Sequence, residues 1–230
     1  MDTFTLLETR RKHVMKYSEK IPSLEVINNA LWKAWKTSPS KNNFNPYEVF
    51  VLGPEKQKDK DAVYSMIRKA HIRAEDDAVE KGYQDITQNG AVNPFYEHIK
   101  LNPYLVVITS RVCKKANKFY EKKIAEGHHP EQMIEEKADM LVPVFAVEVG
   151  LFMQNLTNYL LEEHIDISYN SCFVRDAKVW QEAGLNWCTH MPIAMMSIGY
   201  ASRYRKQELS PLSVIEDIKP EIDEIITWIQ

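Results

Sequence analysis

Residues 142–164 are apolar around most of a helical circumference, with Val144, Phe145, Val147, Leu151, Phe152, Leu156, Tyr159 and Leu160 leaving no broad polar face. A helix of that kind has to be covered on every side. The segment therefore belongs at the centre of a folded body, and a second copy of the chain is the readier source of its last cover. Glu148, Gln154 and Asn155 interrupt the run, which makes it a buried helix and not a membrane span.

The covering elements can be read on either side of it. The stretch 104–109 is continuously apolar, the pattern of a strand buried on both faces. Residues 47–53 alternate and are β-branched, and 165–173 and 192–200 supply two further strands. Helices are expected over 2–17, after Pro22, and over 55–81. The second carries Leu24, Ile27, Leu31, Ala34 and Trp35 at helical period and stops at Thr37-Ser38-Pro39-Ser40. Residues 82–102 read as irregular, 111–126 and 130–140 as polar helices broken around Gly127, and 213–218 and 220–229 as short terminal helices. Few strands interleaved with many helices predict an α+β sandwich, one domain over 1–230 without repeat or linker.

Composition narrows the function. With 29 basic against 32 acidic residues, the chain has no overall field to attract nucleic acid. Cys113, Cys172 and Cys188 are odd in number and widely spaced, with no CxxC pair, so neither a disulfide framework nor a thiolate metal site is expected. That usage, and a start at Met1-Asp2-Thr3 without a basic-then-apolar leader, point to a reducing, cytoplasmic setting with no membrane partner. His128 and His129 are adjacent and so point apart, with no carboxylate at ligand spacing, and no metal is expected. Neither GxGxxG nor a P-loop is present.

Three segments carry chemistry. Arg10-Arg11-Lys12-His13-Val14-Met15-Lys16-Tyr17 is a basic run that can grip a phosphate through bidentate Arg donors, or simply end a solvated helix. Pro39-Ser40-Lys41-Asn42-Asn43-Phe44-Asn45-Pro46-Tyr47 is a tight polar turn whose hydroxyl and amides can serve a ring edge that both donates and accepts. The third pairs Tyr169-Asn170-Ser171-Cys172-Phe173, which follows the long helix, with Met195-Met196-Ser197-Ile198-Gly199-Tyr200 and the cations Arg203, Arg205 and Lys206.

In this order the segments resemble the nitroreductase family. The second is similar to its Pro-Ser-x-x-Asn-x-Gln-Pro-Trp, with Pro39, Ser40, Asn43 and Pro46 matching and Asn45 and Tyr47 replacing Gln and Trp. The first is similar to Arg-x-Ser-x-Arg/Lys-x-Phe, with Arg11 matching, His13 in place of Ser and Met15 in place of a cation. The resemblance implies a central mixed, mostly antiparallel sheet with helices on both faces, and a homodimer with the flavin at its interface. It implies FMN held by Arg11, Lys12, His13, Met15, Pro39, Ser40, Asn43, Asn45, Glu148, Ser171, Cys172, Arg203 and Arg205. The backbone N–H groups of Ser171 and Cys172 would meet flavin N5 and O4, and His164 stands where a Gly is usual. The implied chemistry is ping-pong: NADH or NADPH reduces the flavin, and an electron-poor acceptor such as a nitroaromatic or quinone reoxidises it, with no side chain as catalyst. Residues 111–140 exceed the connection that fold needs and read as a lid, with Phe119 and Tyr120 stacking on a planar acceptor. Flavin-dependent dehalogenation, flavin fragmentation and non-catalytic flavin binding are the alternatives on the same fold.

Overall fold

A computed structural model describes residues 14, 17–40, 45–80, 101–111, 122, 125–127, 138–202 and 225–226. Among them lie four strands and four helices, labelled here in chain order: α1 Leu24–Thr37, β1 Tyr47–Leu52, α2 Gln57–Glu80, β2 Tyr104–Ser110, α3 Ala138–Glu162, β3 Asp166–Asn170, α4 Ala177–Glu182 and β4 Pro192–Gly199. The strands form one sheet in the order β1-β2-β4-β3. Every pairing is antiparallel, so the sheet is antiparallel throughout among the described residues. None of these helices is long and apolar enough to cross a membrane.

Side chains of a strand alternate between faces, and this sheet buries both. One face carries Tyr47, Tyr104, Val106, Ile108, Ile167, Met196 and Ile198, packed under Ile27, Ala30 and Ala34 of α1 and Val149, Phe152, Leu156 and Leu160 of α3. The other carries Leu52, Leu105, Val107 and Met195 against Val63, Met66 and Ile67 of α2 and Trp180 of α4. Helices thus lie on both faces, as the resemblance implies. The central strand β4 is buried at all eight positions, which is why its sequence shows no alternation. Its proline, Pro192, sits at the first position, where a missing N–H is tolerated.

Local signals explain the helix ends. Ser23 is the N-cap of α1, its hydroxyl accepting from Val26 N–H at 3.3 Å. Pro22 lies one residue ahead of that cap and does not open the helix itself. The Tyr104 hydroxyl donates to the Pro22 carbonyl at 3.1 Å, tying the entry of α1 to the sheet. Two residues of the expected apolar stripe, Leu24 and Trp35, are exposed: the small Ala30 and Ala34 form the contact, and the bulky neighbours flank it.

α3 ends in a Schellman turn. Ile165 N–H donates to the Leu160 carbonyl and His164 N–H to the Leu161 carbonyl, both at 2.9 Å. That geometry needs a left-handed residue, and His164 supplies it with φ +59°. The turn expected of a glycine is therefore present with a histidine in it, at a backbone cost of about 1–2 kcal/mol. His164→Gly is expected to raise stability by about 0.5–1 kcal/mol, less than the full relief because glycine also enlarges the unfolded ensemble. Urea unfolding checks the sign; an unchanged or lower midpoint would show that the imidazole makes up for its strained backbone.

One glycine has a packing reason. A Cβ on Gly199 would stand 2.6 Å from Pro103 Cδ and 2.7 Å from Tyr17 Cδ1. The missing side chain lets the N-terminal segment cross the end of β4, where Tyr17 bridges Ala201 and Ser18 N–H donates to the Tyr200 carbonyl at 2.7 Å.

Candidate functional site

The register places one end of every strand together. Tyr47 starts β1 opposite Ser110 at the end of β2, and Pro192 starts β4 opposite Thr109. β3 ends at Asn170, paired with Met195. Loops leaving this end of the sheet carry most of the described candidates: Pro39, Ser40, Asn45, Ser171 and Cys172. Glu148 joins them from α3. Three strand spacings separate β1 from β3, about 14 Å. Ser40 and Asn45 thus stand at the β1 side of this sheet end and the Ser171 turn at the β3 side.

At the β1 side the loop is held from two directions. The Ser40 hydroxyl donates to Glu148 Oε2 at 2.6 Å and accepts from Asn45 N–H at 2.8 Å. Arg111 grips the far end of the loop, its Nε donating to the Asn45 carbonyl at 3.1 Å and its backbone N–H to the Pro46 carbonyl at 3.0 Å. Asn45 has φ +46°, a conformation that Asn tolerates better than most residues. Glu148 is only 6% exposed. Tyr47, its ring 5.3 Å from that of Phe152, places a buried hydroxyl nearby that has no hydrogen-bond partner among the described residues. Burial pushes the Tyr47 phenol up to about 12, the Glu148 charge adds to the rise and the Arg111 charge opposes it. The phenol therefore stays protonated at neutral pH.

At the β3 side Asn170 closes an Asx turn, its Oδ1 accepting from Cys172 N–H at 2.9 Å. Arg175 braces the turn, with Nη1 donating to the Ile193 carbonyl at 2.8 Å and Nη2 to the Ser171 carbonyl at 3.3 Å. Ser171 and Cys172 are exposed at its tip. One donor expected to face a flavin, the Cys172 N–H, is thus engaged inside the turn.

The sequence reading named Ser40, Asn45 and Glu148 each separately as a flavin contact and paired none of them, whereas the structure brings them together through the Ser40 hydroxyl. It missed Arg111, counted with the solvated cations of an expected helix at 111–126; a cation placed directly after a buried strand was the available signal. It also passed over Asn170, although Asn ahead of Ser-Cys at a strand end is an Asx-turn signature. Arg11, Lys12, His13, Met15, Asn43, Phe119, Tyr120, Arg203 and Arg205 lie outside the described residues. Among the described residues, Tyr17 at the end of the first basic run bridges Ala201, two residues ahead of Arg203 in the chain. Among the described residues no group of three His, Cys, Asp or Glu side chains could hold a metal.

The donor set suits a flavin. The exposed turn tip offers the Ser171 hydroxyl, Arg111 adds a cation, and the Tyr47 hydroxyl, without a partner among the described residues, adds polar capacity beside them. These groups suit a pyrimidine ring edge better than a bare cation.

Comparison with known proteins adds the family. The profile described as Nitroreductase family matches residues 8–200. A nitroreductase family protein from Streptococcus pneumoniae TIGR4 superposes with a TM-score of 0.63 at 18% identity, over 99% of this chain and 100% of that one. A BluB-like flavoprotein from Clostridium difficile 630 gives 0.61 at 17% identity over 100% of both chains. An FMN and NADPH-dependent nitroreductase from Sphigopyxis sp. strain HMH gives 0.60 at 16%, also over 100% of both. No curated protein matches.

Proposed function

The chain belongs to the nitroreductase family, and on that premise we propose that it is an FMN-dependent oxidoreductase using NADH or NADPH to reduce an electron-poor acceptor such as a nitroaromatic or quinone. The observation that carries the reading is the pair of polar loops flanking one end of the sheet, the Ser40 clamp and the Asn170–Cys172 turn. When bound, FMN would take hydride from the nicotinamide and pass reducing equivalents to the acceptor. The chain's own residues bind and orient. The Ser40 loop and the Ser171 turn would frame the ring system, and the basic runs that include Arg11, Lys12, Arg203 and Arg205 would hold the phosphate. Residues 111–140 would cover the site, with Phe119 and Tyr120 against the acceptor, and α3 begins within that stretch at Ala138.

The functional unit is proposed to be a cytoplasmic homodimer. α1 and α3 pack together and leave Trp32, Trp35 and Leu24 of the one, and Val147 and Leu151 of the other, between 40 and 62% exposed. Apolar surface of that kind on two adjoining helices is what an interface covers. A second subunit would also bring its Ser40 loop to a flavin seated at the first one's Ser171 turn, joining loops that one protomer holds apart.

The purified protein is expected to be yellow, or to bind added FMN at micromolar concentration. It should bleach with NADH or NADPH, regain colour with a nitroaromatic, and sediment as a dimer. A colourless protein without flavin affinity would remove the reading. A yellow protein that neither nicotinamide reduces would leave a flavin binder without turnover.

A further inference from the structure

We infer that the Ser40 hydroxyl is a staple within its loop and not a donor to the flavin, and that Glu148 and Arg111 are positioning residues that fix the loop from opposite sides. The inference rests on the flavin reading and deepens it. A serine hydroxyl has one proton to give and two lone pairs. The Ser40 proton goes to Glu148 Oε2 at 2.6 Å, and one lone pair takes the Asn45 N–H at 2.8 Å. Nothing is left to donate to a flavin oxygen.

Exchanging partners would be uphill. Hydrogen bonds to an ionised acceptor are roughly twice as strong as neutral ones. Swapping the Glu148 carboxylate for a neutral ring carbonyl would weaken the bond and take a donor from a carboxylate that is only 6% exposed. The other end of the loop is held by a charge of opposite sign, Arg111, through the carbonyls of Asn45 and Pro46. A carboxylate on α3 and a guanidinium after β2 therefore anchor the loop at Ser40 and Asn45. The Tyr47 hydroxyl, buried and without a partner among the described residues, is a group at this spot with a proton still to offer.

A double-mutant cycle tests this with two readouts, FMN affinity by fluorescence quenching and urea unfolding of the apoprotein. Ser40→Ala is expected to weaken FMN roughly tenfold in the native background, the loss of about one hydrogen bond's worth of loop order, and by less than about twofold once Glu148→Ala is present. Glu148→Gln, whose amide oxygen still accepts the hydroxyl, should keep most of the affinity. The apoprotein should show the same non-additivity with no flavin present. Equal losses from Ser40→Ala in both backgrounds would mean direct contact with the flavin and overturn the inference, as would additive unfolding energies. If Glu148→Ala does not fold, Glu148→Leu, which keeps the volume but accepts no hydrogen bond, takes its place in the cycle, and an equal cost of Ser40→Ala in that background is the overturning result. Failure of the native protein to bind FMN would strike the flavin reading, while the apoprotein cycle would still report on the staple.

Discussion

Trp180→Ala is expected to remove about 3–5 kcal/mol of folding stability, enough to leave a domain of ordinary stability barely folded at 37 °C. Trp180 is fully buried, and its ring meets Phe173 edge-on at 5.9 Å and Trp187 at 6.1 Å. Its indole N–H donates to the Val174 carbonyl at 2.6 Å. Truncation opens a cavity beneath α2 and strands that carbonyl. Trp180→Phe separates the two effects, since it keeps most of the volume and loses only the hydrogen bond, for an expected 1–2 kcal/mol or about that. Urea unfolding of both variants decides. Equal losses would place the energy in the hydrogen bond and not in the packing.

A second large effect is expected in alkaline solution. Lys60 is 1% exposed, and its ammonium donates to the carbonyls of Asn102 at 2.8 Å and Pro103 at 2.9 Å. Burial pulls it down from 10.5 to about 8, with Glu55 opposing the fall. The sign follows from linkage: between about pH 8 and 10.5 the unfolded chain still holds this proton while the folded chain has released it. Stability from this group therefore rises across that window, by on the order of 3 kcal/mol, and is flat below it. Cys188, pushed up to about 12 by burial, works in the opposite direction above pH 9, so the measurement is the difference between the native chain and Lys60→Met. That difference is expected to be about 1–3 kcal/mol at pH 7, from the two carbonyls left unpartnered, and to widen as the pH rises. A constant difference from pH 7 to 10.5 would show that the two carbonyls hold the ammonium charged throughout.

The sheet was legible because its strands are written in a pattern that burial dictates. The β-branched and aromatic run of β1 and the unbroken apolar run of β2 place both strands to within a residue of their ends, although β1 is fully buried only at Tyr47 and Leu52 and does not alternate. The long helix was placed correctly but begun too late. Expected over 142–164, α3 starts at Ala138 and carries Pro143 inside it. α4 was missed altogether. It is six residues long, too short for periodicity to show, and stands on an Asp176 cap, whose carboxylate accepts from Lys178 N–H at 2.9 Å, and on the burial of Trp180. The site was half legible. Ser40 and Asn45 announce a turn by type, but nothing in a linear string pairs Ser40 with Glu148, or Asn45 with Arg111. Those contacts exist only because β1 and β2 align Tyr47 with Ser110 and α3 lies across them.

The strand order β1-β2-β4-β3 has a kinetic meaning. No two neighbours in the sheet are joined by a tight hairpin: β2 meets β1 across the whole of α2, and β4 meets β2 only after α3, β3 and α4 have been made. Each pairing must close a long stretch of chain before it returns any contact energy. A topology of this kind folds in milliseconds to seconds, orders of magnitude slower than a helical bundle of equal stability. The loop between α1 and β1 gains its two anchors only when β2 and α3 have docked, so its order is among the last to appear on the folding route. In a stopped-flow experiment, the FMN uptake proposed above would then trail the recovery of helical ellipticity, and the lag between the two traces would time the closing of the sheet.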